Sequence, residues 1–65
     1  MYRHVRFRIP YDRMTRIARR VNERLQDAGF PPIIVEGHRL SVPEYPEVIE
    51  LLLVYLPNLK DRLCR

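Results

Sequence analysis

A single helical repeat of apolar residues in the first half of the chain is the feature that most restricts its fold. After Asp12, apolar side chains recur every three or four positions, which is the spacing of one buried helix face. Asp12 is a candidate N-cap, and Gly29 is a candidate helix stop because glycine readily adopts the left-handed conformation. The sequence therefore predicts one long amphipathic helix. Its apolar stripe consists of Met14, Ile17, Ala18, Val21, Leu25 and Ala28.

The segment before this helix has the two-residue period of a β-strand. Residues 2–9 place Val5, Phe7 and Ile9 on one face and polar or aromatic side chains on the other. Pro10 then interrupts the pattern, since proline has no backbone N–H to donate to a sheet. We expect a strand over residues 2–9 with one face on a core and the other in water.

The segment after the helix predicts a β-hairpin. Gly37 stands in the first position of a two-residue turn, where a type II′ hairpin needs a positive φ. Pairing Glu36 with Arg39 places the apolar side chains of both strands on one face, and leaves Ile34 on the wet face. The two predicted strands are residues 33–36 and 39–42.

A second helix is expected in the C-terminal half. Pro46 suits the first helical position, and the leucine-rich run of residues 48–56 favours a helix, with a strand as the alternative. Pro57 ends or kinks it, and Asn58 is a candidate cap for a separate short turn. If the helix continues past Pro57, one stripe is formed by Val48, Leu52, Tyr55, Leu59 and Leu63.

These elements make one α+β domain over residues 1–65, in the order β-α-β-β-α. The order resembles a ferredoxin-like fold without its last strand, in which the second hairpin strand lies between the other two. The resemblance implies that the first strand has an unpaired edge. A chain of 65 residues has a small core, and one cysteine allows no internal disulfide, so we expect self-association as a homodimer.

Positive charge is concentrated in the N-terminal part of the chain. Residues 1–28 hold eight arginines against three acidic residues, whereas the remainder has more acidic than basic residues. Of the 12 basic residues, only Lys60 is a lysine. Arginine suits bidentate contact with phosphate or carboxylate, although a GC-rich genome produces the same bias.

Four arginines follow one flank of the first helix at helical spacing, and two more come from the first strand. The rings of Tyr2 and His4 stand beside the strand arginines and could stack on bases. This combination predicts a non-catalytic protein that binds nucleic acid; the alternative is a solvated helix face with pairs such as Arg19 and Glu23. The candidate nucleic-acid contacts are Arg6, Arg8, Arg13, Arg16, Arg20 and Arg24.

The sequence argues against an enzyme. Both glycines are used in a helix stop and a turn, which leaves no glycine-rich phosphate loop. His4, His38 and Cys64 are too scattered for a metal site, and Cys64 has no base beside it. We therefore expect no cofactor, no metal and no small-molecule substrate. The absence of a long apolar run predicts a cytoplasmic protein without membrane contact.

Leu53 and Val54 fall on the side of the second helix that faces away from its apolar stripe. Local burial under the C-terminal turn would cover them, and so would a dimer or partner interface. The second possibility gives an alternative function, a stand-alone protein modulator such as an antitoxin, an inhibitor from a phage or mobile element, or a small subunit of a complex. Its arginines would then meet an acidic protein surface.

Overall fold

Helices cover one face of a three-stranded antiparallel sheet and leave the other face open. The computed structural model describes residues 1–63. It is a small α+β domain whose first five elements follow the predicted order β-α-β-β-α, and a 3₁₀ turn and a third helix come after them. The elements are β1 (Tyr2–Arg6), α1 (Tyr11–Asp27), β2 (Ile34–Glu36), β3 (Arg39–Pro43), α2 (Pro46–Tyr55), a 3₁₀ turn (Pro57–Leu59) and α3 (Lys60–Leu63).

The sheet has the order β1-β3-β2, so the second hairpin strand lies in the middle, as the sequence predicts. The hairpin register is also confirmed, because Glu36 pairs with Arg39 and Val35 with Leu40. Gly37 has a φ of 59°, the positive value that the first position of a type II′ turn needs. Ile34 remains on the open face and is 43% exposed.

β1 is shorter than predicted, ending at Arg6 instead of Ile9. The reason lies in its partner strand, since Arg6 pairs with Arg39, the first residue of β3. Phe7 still donates its backbone N–H to the His38 carbonyl in the hairpin turn, at 3.0 Å. Beyond this point the hairpin has turned away, and the chain has no strand of the sheet to continue along.

The prediction that Asp12 caps α1 is wrong. The helix begins at Tyr11, Pro10 occupies the N-cap position, and no side chain caps the helix there. Asp12 instead lies in the first turn, where a carboxylate favours the positive end of the helix dipole. The predicted stop is confirmed, since Gly29 has a φ of 83°.

The core lies between the sheet and the two long helices. Val5, Leu40 and Val42 supply its sheet side, and the stripe of α1 packs against them. Val48 and Leu52 of α2 have no exposed surface, which confirms the predicted inward face of this helix. The most buried α1 residues are Met14, Ala18, Val21 and Leu25.

The chain folds back after α2 and returns to the core. α2 begins at Pro46 and ends before Pro57, so both prolines act as the sequence predicts. The separate short turn is present, but Asn58 lies inside it and Leu56 occupies the N-cap position. Leu59 and Leu63 are buried, so the apolar stripe continues through the turn. Within residues 1–63, no helix combines the length and apolar character that crossing a membrane requires.

Candidate functional site

An arginine-lined groove lies beside α1. It has a volume of about 520 Å³ and is open to solvent. We call it the α1 groove. The residues that line it are Arg13, Arg16, Ile17, Arg19, Arg20, Glu23 and Tyr55.

Helix geometry explains why these α1 side chains share one flank. Residues three and four positions apart lie one above the other on a helix, as Arg13, Arg16 and Arg20 do. Ile17 borders the core side of this flank and is half-buried against the core. The ring of Tyr55, the last residue of α2, closes the groove from the neighbouring helix.

The structure brings together three of the four predicted helix arginines. Arg13, Arg16 and Arg20 line the α1 groove, whereas Arg24 lies one turn beyond Arg20, outside the lining residues. Arg19 lines the groove instead, together with Glu23. The groove thus carries four guanidinium groups and a single carboxylate.

The two strand arginines lie elsewhere. Arg6 projects from the open face of the sheet, the face opposite the helices, where it stands across from Arg39 in the strand register. Arg8 borders a separate cavity of about 160 Å³, together with residues such as Phe7 and Asn58. The sheet therefore separates Arg6 from the α1 groove, and the helix and strand arginines do not form one continuous surface.

Tyr2 and His4 lie on the open face of the sheet, on the same side as Arg6. The Tyr2 hydroxyl donates a hydrogen bond to the Pro32 carbonyl at 3.0 Å, which holds its ring across the sheet. The His4 Nδ1 and the Ser41 hydroxyl oxygen are 2.8 Å apart. Ser41 is only 4% exposed, although its side chain lies on the face of the sheet away from the core.

Sequence reasoning missed Tyr55 and Arg19 as groove residues. Tyr55 belongs to the apolar stripe of α2 by spacing, and its half-buried ring does contact the core. Nothing in the local sequence shows that its other side faces α1. Arg19 is four residues before Glu23, and this spacing favours an ion pair on a solvated face.

The Leu53 and Val54 side of α2 is only partly covered. Leu53 is half-buried against the core, which agrees with local burial, whereas Val54 is 76% exposed. Leu53 also lines a shallow depression of about 410 Å³ together with Ile49 and Leu63. Val54 is therefore the more accessible of the two predicted interface residues.

Within residues 1–63, no three His, Cys, Asp or Glu side chains lie close enough together to hold a metal ion. Cys64, considered above as a ligand and a nucleophile, lies outside the described residues. No protein-family profile, curated protein or solved structure matches the chain. The α1 groove is consequently the main basis for a functional conclusion.

Proposed function

We propose that the protein is a non-catalytic nucleic-acid-binding protein and that the α1 groove holds the phosphate backbone. The observation that carries the proposal is the lining of the groove, four arginines and an aromatic ring with one carboxylate. The guanidinium fork matches phosphate oxygens in a bidentate geometry, and each contact releases condensed counterions. Such contacts supply affinity without reading base sequence.

Tyr55 favours a single-stranded ligand over a duplex. Single strands combine a phosphate backbone with exposed bases, and aromatic side chains stack on those bases. The Tyr55 ring lies in the same groove as the guanidiniums, so one ligand can meet both. Glu23 lowers the net positive charge but leaves a clear excess, because it is one carboxylate among four arginines.

We also propose a more specific description of the fold. The order β1-β3-β2, with α1 connecting β1 to β2, supports a ferredoxin-like arrangement that lacks its last strand. In this arrangement the helices occupy one face of the sheet, which is where the α1 groove lies. The proposed location is the cytoplasm, where nucleic acids are accessible.

The test is a titration of labelled single- and double-stranded DNA and RNA at several salt concentrations. Removing two groove arginines, in Arg16→Gln with Arg20→Gln, should weaken single-strand binding by about tenfold or more and reduce the salt slope by about 1.4. The matched control is Arg39→Gln with Lys60→Gln, which removes the same charge from exposed sites outside the groove. Equal losses in both variants, or no salt-sensitive binding at micromolar protein, would contradict the proposal.

The exposed Val54 favours a second candidate, a protein-protein modulator that uses α2. Val54 is 76% exposed beside the half-buried Leu53, and nucleic-acid binding does not need such an apolar position. The same surface could hold a second copy in a homodimer. Affinity purification from the native host, followed by mass spectrometry, tests the modulator function. One stoichiometric protein partner that persists after nuclease treatment and in high salt would support it.

A further inference from the structure

A second group of arginines lies at the free edge of β1. It lines a depression of about 310 Å³, which we call the edge site. No Asp or Glu of residues 1–63 contributes to its lining. The lining residues are Arg3, His4, Val5, Arg6 and Arg62.

Two of these arginines are held in place by backbone carbonyls. The Arg3 guanidinium donates from Nη1 to the Leu63 carbonyl at 2.9 Å. The Arg62 guanidinium donates from Nη1 to the Arg6 carbonyl, on the outer edge of β1. A guanidinium has five N–H donors, so each group keeps most of its donors after making this bond. The two side chains are thus positioned before any ligand arrives.

The backbone of β1 adds donors on the same edge. Phe7 donates to His38 at 3.0 Å, and Met1 accepts from Glu44 at 2.9 Å, so odd-numbered residues face β3. In an antiparallel strand the alternate residues point their N–H groups the other way. The N–H groups of His4 and Arg6 therefore point to the free edge, where the anchored guanidiniums lie.

Bringing these cations together has an electrostatic cost. Arg6 not only lies beside Arg62 but also stands directly across from Arg39, and like charges that face each other across strands are destabilising. An anion bound at the edge site would offset this repulsion. A phosphate group fits best, because its tetrahedral oxygens can accept from donors that arrive from several directions.

We propose that the edge site binds a phosphate group, and that the guanidinium groups of Arg3, Arg6 and Arg62 contact it. The bound phosphate belongs either to an internal phosphodiester or to the terminal phosphate of a nucleotide or oligonucleotide. The site is separate from the α1 groove and does not depend on it, since the two share no lining residue.

The first test is an amide ¹H–¹⁵N NMR titration with inorganic phosphate, with sodium chloride adjusted to keep the ionic strength constant. The largest shifts should fall on His4 and Arg6. Arg6→Gln should weaken the affinity by about tenfold, the effect of losing one charge-assisted contact. The matched control is Lys60→Gln, which removes one charge from an exposed residue that lines neither the edge site nor the α1 groove, and it should leave phosphate binding at the edge site unchanged.

Arg62→Gln also removes an intramolecular hydrogen bond and could lower stability for that reason alone. The phosphate affinity of Arg62→Gln is therefore compared with that of Arg62→Lys, and the thermal unfolding of both variants is measured. If Arg62 binds phosphate, the lysine variant should bind more tightly than the glutamine variant at equal stability. Equal phosphate affinity of the wild type, Arg6→Gln and Arg62→Gln would overturn the proposal. Phosphate-induced shifts confined to α1, with none at His4 and Arg6, would overturn it too.

The source of the phosphate is identified by comparing the binding of two oligonucleotides that differ only in a 5′-phosphate. Tighter binding of the phosphorylated form, lost in Arg6→Gln, identifies a terminal phosphate. Equal binding of both forms, with shifts at His4 and Arg6, identifies an internal phosphodiester. If neither form shifts these amides, the edge site does not bind the phosphate of an oligonucleotide, and both proposed sources are overturned, whatever the α1 groove binds.

Discussion

Asn22 of α1 is joined to Ile33 by two hydrogen bonds that use both ends of one side-chain amide. Its Nδ2 donates to the Ile33 carbonyl at 3.1 Å, and its Oδ1 accepts from the Ile33 N–H at 2.8 Å. In the register of the hairpin, the backbone groups of Ile33 point away from β3. The Asn22 amide therefore takes the place that a further strand would occupy at this edge of the sheet.

Replacing Asn22 should destabilise the fold. Asn22→Ala leaves the partly buried N–H and C=O of Ile33 without their partner, which costs about 1–3 kcal/mol and outweighs the better helix propensity of alanine. Urea unfolding followed by circular dichroism measures the loss. Gln26→Ala, an exposed change on the same helix, is the control and should stay within about 0.5 kcal/mol. Equal stability of the two variants would show that the amide bridge contributes nothing.

Substituting either of the two glycines should destabilise the protein through backbone strain alone. Gly29 and Gly37 have φ of 83° and 59°, and an added Cβ at either site has no described atom within 4 Å. Alanine therefore meets no clash, and the expected cost is the left-handed conformation itself, about 1–2 kcal/mol at each site. Thermal unfolding of Gly29→Ala and Gly37→Ala measures this cost. Asparagine at the same positions should cost less, and an alanine variant as stable as the wild type would contradict the prediction.

Local features of the fold could be predicted from the sequence because neighbouring residues determine them. The stop at Gly29, the turn at Gly37 and the start of α2 at Pro46 all depend on a few adjacent positions. The bonds from Asn22 to Ile33 and from Arg62 to Arg6 join different elements. Their partners are defined only after the chain has folded, and no periodicity reveals them.

The candidate site likewise has one part that local spacing predicts and another that arises only from the packing of different elements. Three arginines of the α1 groove follow from helix spacing, whereas Tyr55 enters the groove only because α2 packs beside α1. The predicted union of the helix arginines with Arg6 is not formed, since a residue on the outer face of β1 lies across the sheet from α1. Sequence alternation places Arg6 on the wet face of its strand but does not show which face the helix covers.

The Tyr55 ring should contribute to single-strand binding through stacking. Tyr55→Leu keeps an apolar side chain but removes the ring, and it should weaken single-stranded DNA binding by about tenfold, near the low end of base-stacking energies. Tyr55→Phe retains the ring and should bind nearly as the wild type does. Fluorescence anisotropy at fixed salt measures the affinity of both variants for single-stranded DNA. A DNA duplex is the control ligand, and both variants should bind it equally well. An equal loss in the phenylalanine variant would assign the effect to the hydroxyl and exclude stacking.

Self-association should use α2 and not the edge of β1. Arg62 already donates to the outward carbonyl of Arg6, so a second copy that pairs with β1 would have to displace it. Val54, in contrast, is 76% exposed and apolar, and a two-fold axis would bring two copies of it together. The expected homodimer is therefore helix-packed, with Leu53 at its margin.

Val54→Glu should dissociate this dimer without unfolding the protomer. The side chain is largely in water in the protomer, so the change should alter the free energy of unfolding of the monomer by no more than about 0.5 kcal/mol. In the dimer, two carboxylates would face each other in an apolar contact, which is strongly unfavourable. Sedimentation equilibrium from low to high micromolar protein measures the dimer fraction. The matched control is Val54→Ala, which should dimerise more strongly than Val54→Glu. A wild type that is monomeric throughout contradicts dimerisation, and a dimer that survives Val54→Glu places the interface away from α2.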